Sequence, residues 1–516
     1  MPVNTLIDTE KGLLHVLRPA DGTLIEDLVV DDAARVAAKA NQLRDAQPEW
    51  EAMGLEARTR WMERYRDWLL DHTHELAGIM QEEAGKVRTE AVLEQSWLHD
   101  IINTYSRKAP ALLGDKRVKP GSPLLLGKRF TLVRRPHPLV GVIGPWNFPM
   151  VLCLGDGLPA LFAGCAVLLK PSEVTPLAVR RAVEGWAEIG APPVLDVVLG
   201  AGETGAALVD EVDYVQFTGS VATGQKIAER ASKTITPVSL ELGGKDPFLV
   251  LEGANLERAA NCAVVGGFGN NGQVCISTER VYVQASVYDE FVAKVATKVK
   301  ALRSGYDGPE IDADVGAMTS PAQIGIVEAH VNDAIAKGAT VLTGGRREDK
   351  AGDWFQPTVV VDVDHTMRIM VEETFGPVLP IMKVADEAEA IRLANDSEFG
   401  LAASVFASSP REGERIARLL DAGTVNVDDY AIAAMCIDVP MGGWKKSGIG
   451  QRSADYGLTK FTRQKTISAP RVPTLDSEMW WFPYTPTKVG LVQKVMRFVN
   501  ARGRARLGTP ALKDLS

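Results

Sequence analysis

Leu139-Val140-Gly141-Val142-Ile143-Gly144-Pro145 reads as a strand buried on both faces that runs into a tight turn. Trp146-Asn147-Phe148-Pro149 follows, and residues 150–162 read as a helix. Ala166-Val167-Leu168-Leu169-Lys170-Pro171-Ser172-Glu173 is a second buried strand, ending in polar residues. Working outward, 177–188 is a helix, 194–199 a strand, 204–210 a helix and 214–217 a strand, and Gly219-Ser220 leads into a helix over 222–231. This alternation predicts an α/β fold with a parallel sheet and ligand groups at the strand C-termini. A second alternating region runs over 248–439, with strands near Val281-Tyr282-Val283 and Thr340-Val341-Leu342 and helices near 288–302 and 321–337.

Upstream, residues 15–30 read as short strands around the turn Ala20-Asp21-Gly22. Asp31-Asp32 opens a helix over 33–45. The pattern stays helical over 51–106, where Trp61, Tyr65, Trp68 and Leu69 recur at helical spacing and belong in a core or interface. Pro120-Gly121 breaks the helix, and 124–136, with Lys128, Arg129, Arg134 and Arg135, reads as an exposed strand pair.

The chain has 516 residues, enough for two or more lobes. A net charge of −9 argues against nucleic acid as a partner. Cys153, Cys165, Cys262, Cys275 and Cys436 are scattered, with no CxxC pair, so neither a disulfide framework nor a metal site is expected. A reduced, cytoplasmic compartment fits. The N-terminal 14 residues lack a continuous apolar core, and no apolar run is long enough to span a membrane.

Two stretches carry chemistry. Phe268-Gly269-Asn270-Asn271-Gly272-Gln273-Val274-Cys275 sets a thiol at the end of a loop of small and polar residues. Glu241-Leu242-Gly243-Gly244-Lys245-Asp246-Pro247 sets a carboxylate before a turn. A cysteine and a carboxylate beside glycine loops are the parts for covalent catalysis followed by base-assisted hydrolysis. Further motifs stand in order along residues 15–470: Pro145 to Pro149, Lys170 to Glu173, Phe217-Thr218-Gly219-Ser220, Glu372-Glu373-Thr374-Phe375-Gly376-Pro377, and Met441-Gly442-Gly443-Trp444-Lys445-Lys446-Ser447-Gly448. Together they resemble the aldehyde dehydrogenase superfamily.

The resemblance implies a Rossmann-type cofactor domain over 1–116 and 138–242 and an α/β catalytic domain over 243–438. It also implies projecting oligomerisation strands over 117–137 and 456–471, serving a homodimer or homotetramer. Cys275 matches the nucleophile, whereas Cys165 and Cys262 read as small buried hydrophobes. Asn147 matches the side-chain donor that joins the Cys275 N–H in holding the oxyanion. Glu241 matches the base that activates hydrolytic water, and it speaks against an acyl-CoA-forming relative. The cofactor site has no GxGxxG fingerprint. In its place Lys170 and Glu173 match the adenosine-ribose residues, with Ser172 and Trp146 in the same cofactor motifs. Gly219 and Ser220, at a helix start, suit the pyrophosphate, and Gly205 lies on the adenine side. Glu373 and Phe375 match the nicotinamide-ribose residues. A carboxylate at 173 disfavours a 2′-phosphate, so NAD is expected ahead of NADP.

The expected reaction is oxidation of an aldehyde to a carboxylic acid through a thiohemiacetal and a thioester. One alternative is a semialdehyde dehydrogenase, for example of succinate semialdehyde, using NADP. Another is a membrane-surface or interaction protein of the same fold, which intact Asn147, Glu241 and Cys275 disfavour. Gly155 stands where many relatives carry a bulky aromatic, which would widen the tunnel for a bulky or aromatic aldehyde unless another side chain fills the gap. The loop 430–437 is mostly apolar and offers no Arg or Lys to clamp an acid. Residues 472–516 form a basic amphipathic tail. The aromatic cluster 479–484 precedes a helix over 488–502, with Leu491, Val492, Val495, Met496 and Val499 on one side, and residues 479–506 suit either a neighbouring subunit or the anionic inner face of a membrane.

Overall fold

The computed structural model describes residues 7–8, 11–122, 125, 127–306, 312–471, 476–478 and 480–502. It divides into two compact units, Met1–Leu112 with Pro136–Phe461, and Leu113–Arg135 with Thr462–Ser516.

The first unit holds two large sheets. The six-stranded sheet has the order Gly448–Ile449, Val238–Glu241, Tyr214–Thr218, Leu139–Ile143, Ala166–Lys170, Leu195–Val197. All neighbours are parallel except the Gly448–Ile449 edge. Every residue of the three central strands is buried, as uninterrupted apolar runs require of a sheet covered on both faces. The seven-stranded sheet runs Thr340–Thr343, Thr358–Val361, Val378–Val384, Thr278–Gln284, Asp246–Val250, Ala402–Phe406, Thr424–Val427, again parallel apart from its first strand. The chain passes between the sheets at Leu242–Lys245, so Glu241 ends a strand of one and Asp246 begins a strand of the other.

The expected helix over 150–162 is two pieces. Met150–Leu154 is a π-helix, with the Gly155 N–H donating to the Met150 carbonyl five residues back. An α-helix, Gly155–Ala163, continues from it, all of it buried. Pro159 lies inside that helix and has no N–H for the Gly155 carbonyl, which loosens the ladder at the junction. The helix expected over 33–45 runs further, Ala33–Ala52, and is capped by Asp32, which accepts from the Arg35 N–H. The pattern over 51–106 resolves into Gly54–Asp71, Thr73–Ala84 and Arg88–Leu113. Tyr65 and Trp68 are buried, and Tyr65 stands edge-on to Trp186 at 5.2 Å. Trp61 is half-buried beneath the Arg64 guanidinium.

In the second unit, Thr462–Pro470 lies beside Lys128–Pro136, which pairs in turn with Lys116–Val118. The strand pair is therefore not contained within 124–136: its first strand is the short, charged Lys116–Val118, and Leu124 lies outside the described residues. The returning strand begins at Thr462 rather than at 456, because Ala454–Thr459 is a helix of the first unit with Leu458 buried. Helix Pro486–Asn500 is capped by Thr485, which accepts from the Lys488 N–H. Val492, Val495 and Val499 are half-buried, while Leu491 and Met496 are exposed. Met479, Arg504 and Arg506 lie outside the described residues. Among the described residues no helix is long and apolar enough to cross a membrane.

Candidate active site

Glu241 closes its strand opposite Thr218 on one side and Gly448 on the other. It is 3% exposed, and neither carboxylate oxygen has a hydrogen-bond partner among the described residues. Burial pushes its carboxyl up to about 7, against the pull of Arg452 and Lys460 and with a further push from Asp156. A carboxyl near neutrality is suited to take a proton and return it.

Gly244 brings the cysteine loop against this crossover. A Cβ on Gly244 would lie 2.3 Å from the Cys275 carbonyl oxygen, so only glycine allows this approach. The loop follows helix Leu256–Phe268. Asn270 and Asn271 are left-handed, at φ 47° and 58°, a region that asparagine tolerates better than most residues. The Asn270 N–H donates to the Glu90 carboxylate at 2.6 Å, and Asn271 Nδ2 donates to the Ala317 carbonyl at 2.8 Å. Gln273 Oε1 accepts from the Thr319 N–H at 3.0 Å. The half-buried Cys275 is thus held by a pinned backbone. Desolvation pushes its thiol up to about 12; Arg452 opposes this, while Asp246, Glu373 and Glu241 add to it. At neutral pH the resting side chain is a thiol and needs a base.

Asn147 is 3% exposed, and its Nδ2 donates to the Gln273 carbonyl at 2.8 Å. Its own carbonyl accepts from Lys86 Nζ and Asn270 Nδ2. Lys86 pairs with Glu94 at 2.7 Å, and Glu94 Oε1 accepts the N–H groups of Met150 and Val151. One buried ion pair therefore fixes both Asn147 and the start of the helix behind it.

Two cavities meet at Cys275. One, of about 270 Å³, is lined by Trp146, Asn147, Gly219, Ser220, Gly243, Glu373 and Phe375 among others. Phe375 is left-handed at φ 51° and stands edge-on to Trp146 at 5.3 Å. The Glu279 carboxylate accepts the N–H groups of Thr374 and Phe375 and pairs with Lys245 at 2.5 Å, which locks this segment. Glu373 accepts the Gly244 N–H at 2.9 Å, and burial pushes its carboxyl up to about 7. Helix Val221–Ser232 begins in this cavity, and its cap Ser220 accepts from the Thr223 N–H, so that hydroxyl is engaged with its own helix. Lys170, Ser172, Glu173 and Gly205 form a separate group past the end of Ala166–Lys170, outside the lining of either cavity. There Lys170 Nζ lies 3.3 Å from Glu173, Ser172 Oγ accepts the Val174 N–H, and a Cβ on Gly205 would meet the Lys170 stem at 3.5 Å. A carboxylate for ribose hydroxyls and a helix N-terminus for a diphosphate fit a nicotinamide dinucleotide.

The other cavity, of about 710 Å³, also reaches Cys275 and is walled mainly by apolar side chains, including Tyr430, Ala431, Ala434, Met435 and Ile437 of the loop 430–437. Leu152 and Cys275 line both cavities. Gly155 is on this wall, but the space over its Cα is already taken: an added Cβ would stand 3.2–3.4 Å from Leu98, Ile101 and Val151. The widening expected from Gly155 is thus filled at that point by neighbouring side chains. Sequence reasoning missed the buried charges here. Arg452 Nη2 donates to Asp156 at 3.0 Å and to Thr218 Oγ1 at 2.7 Å, and Lys460 Nζ donates to Gln216 at 2.7 Å. Nothing local marks Arg452 or Lys460, since each is identified by a partner more than two hundred positions away.

A family model described as the aldehyde dehydrogenase family matches residues 6–467. The chain belongs to the aldehyde dehydrogenase family. It is 41% identical over 467 residues, 89% of either chain, to a Mycobacterium ulcerans (strain Agy99) protein provisionally named succinate-semialdehyde dehydrogenase [NADP(+)] 2. It is 39% identical to the 4,4'-diapolycopene aldehyde oxidase of Methylomonas sp, over 92% of this chain and 88% of that one. The structure matches that of an Anabaena variabilis protein provisionally named aldehyde dehydrogenase PutA, with a TM-score of 0.87 and 38% identity, covering 91% of this chain and all of that one. This aldehyde dehydrogenase is an oxidoreductase acting on the aldehyde group of its substrate.

Proposed function

We propose that the enzyme oxidises its aldehyde to a carboxylic acid through a covalent intermediate on Cys275. The observation that carries this reading is the placement of Cys275 at the meeting of two cavities, within the electrostatic reach of a buried carboxyl, Glu241, that has no hydrogen-bond partner among the described residues. Glu241 takes the thiol proton, and the thiolate adds to the carbonyl carbon to give a thiohemiacetal. The second Asn147 Nδ2 hydrogen and the Cys275 N–H hold the new oxyanion, a donor of this kind being worth about 2.7–4 kcal/mol. A nicotinamide bound in the smaller cavity supplies the hydride acceptor. Loss of hydride from the thiohemiacetal leaves a thioester on Cys275. Glu241, having passed its first proton to solvent, then deprotonates a water, which adds to the thioester carbonyl; the thiolate leaves, takes the proton back from Glu241, and the acid is released.

NAD is the proposed cofactor, because the carboxylate of Glu173, proposed to bind the adenosine ribose, would repel a 2′-phosphate. NADP is the second reading, favoured by the name of the Mycobacterium ulcerans relative and by Lys170 beside Glu173. Initial rates of cofactor reduction with NAD and with NADP, for wild type beside Cys275→Ala, test both points. Turnover that survives in Cys275→Ala would remove the covalent reading. A higher kcat/KM with NADP would reverse the cofactor preference.

The three-stranded sheet of the second unit is proposed to join a second copy, since Thr462–Pro470 is a nine-residue edge strand with mostly exposed side chains, a ready template for pairing. Light scattering on the whole chain tests this, and a monomer would exclude it. The tail is proposed to touch an anionic lipid surface. Trp480, Trp481, Phe482 and Tyr484 are exposed ahead of a helix carrying Lys488, Lys494 and Arg497 with no acid. Equal pelleting with anionic vesicles, with and without residues 472–516, would remove that contact.

A further inference from the structure

We infer that the substrate carries a long hydrocarbon tail and no second carboxylate, an inference that rests on the covalent aldehyde oxidation proposed above. The larger cavity, about 710 Å³, lies within the range of sites that bury a drug-sized ligand. Leu93, Trp97, Ile101, Phe148, Val264 and Phe268 are among its walls. A four-carbon semialdehyde would leave most of this volume in contact with water, whereas an alkyl chain would cover it.

The charges of the lining lead to the same conclusion. Four carboxylates, Glu90, Glu94, Asp156 and Asp314, face two cations, Arg452 and Lys460. Each of these groups is already engaged by the protein. Glu94 pairs with Lys86, Asp156 with Arg452, and Asp314 with Arg303 at 2.8 Å. Glu90 accepts the Asn270 N–H, and Lys460 donates to Gln216 and to the Gln451 carbonyl. Arg452 Nη2 is shared between Asp156 and Thr218, and its Nε, though buried, has no hydrogen-bond partner among the described residues. A substrate carboxylate would meet four lining carboxylates, with both lining cations already bonded to the protein, Arg452 to Asp156 and Lys460 to Gln216, so its desolvation would be poorly compensated. A methyl-terminated chain meets no such barrier.

The test is kcat/KM of the whole enzyme for butanal, octanal, dodecanal and succinate semialdehyde, with Cys275→Ala run in parallel. The expected result is a rise of roughly fourfold per added methylene until the cavity is filled, with succinate semialdehyde at or below butanal. A flat alkanal series, or succinate semialdehyde above dodecanal, overturns the inference. So does a wild-type enzyme that turns over none of the four. Turnover that persists in Cys275→Ala defeats the covalent reading instead, whatever the order of preference. Calorimetric titration of the Cys275→Ala variant with dodecanal reads the cavity without chemistry: binding tighter than that of butanal supports the inference, and equal binding overturns it.

Discussion

Asn147 Nδ2 donates to the Gln273 carbonyl oxygen at 2.8 Å, which ties the amide to the backbone two residues before Cys275. One of its two hydrogens is used in this way, and the bond fixes where the other points. A donor fixed before the reaction stabilises developing charge without reorganising. Asn147→Ala is expected to lower kcat about a hundredfold to a thousandfold. Steady-state rates beside a thermal melt separate this effect from unfolding.

Glu241 supplies the pH dependence. As a base it works only when ionised, and burial places its carboxyl near 7. The rate should therefore fall as pH drops through about 7. The stability effect has the opposite sense. A carboxyl raised above its unfolded value binds its proton more tightly when folded, so its contribution to stability is lost as pH rises from about 4.5 to about 7. Glu241→Gln is expected to gain melting temperature relative to wild type at pH 8 but not at pH 4, while losing hydrolysis of the thioester.

Arg452 lowers both the Glu241 carboxyl and the Cys275 thiol. Removing that charge in Arg452→Gln should raise both. The acidic limb of the kcat/KM profile should then move to higher pH, and Arg452→Lys should restore part of the shift. A rate loss with an unmoved profile would show that Arg452 only supports packing.

Gly244 admits no side chain, because its Cβ position is 2.3 Å from the Cys275 carbonyl oxygen. Gly244→Ala should push the cysteine loop off its place and cost about 1–3 kcal/mol of stability. Denaturant unfolding measures that cost, and the reactivity of Cys275 toward a thiol reagent reads the displaced loop.

The parallel sheets were legible because a strand buried on both faces is a continuous apolar run, as Leu139–Ile143 and Ala166–Lys170 are. The stretches holding Asn147, Glu241 and Cys275 could be picked out because each is marked by its immediate neighbours. Asp156 and Arg452 carry no local mark and meet across 296 positions. The π-helix Met150–Leu154 was invisible because apolar content does not distinguish a five-residue hydrogen-bond step from a four-residue one. The residue pattern alone left Lys116–Val118 out of the strand pair, because three exposed residues, two of them basic, show no alternation to read. The space at Gly155 depended on Leu98 and Ile101, which belong to a helix packed from elsewhere in the chain.

Mass spectrometry of Glu241→Gln after one turnover with aldehyde and NAD tests the account most directly. Run at raised pH, where hydroxide can supply the Cys275 thiolate, the variant still lacks the hydrolytic base, so the thioester should accumulate and the peptide holding Cys275 should gain the mass of the acyl group. An adduct on another residue, or no adduct while cofactor is reduced at the wild-type rate, would contradict the assignment of Cys275 as nucleophile and Glu241 as the hydrolytic base.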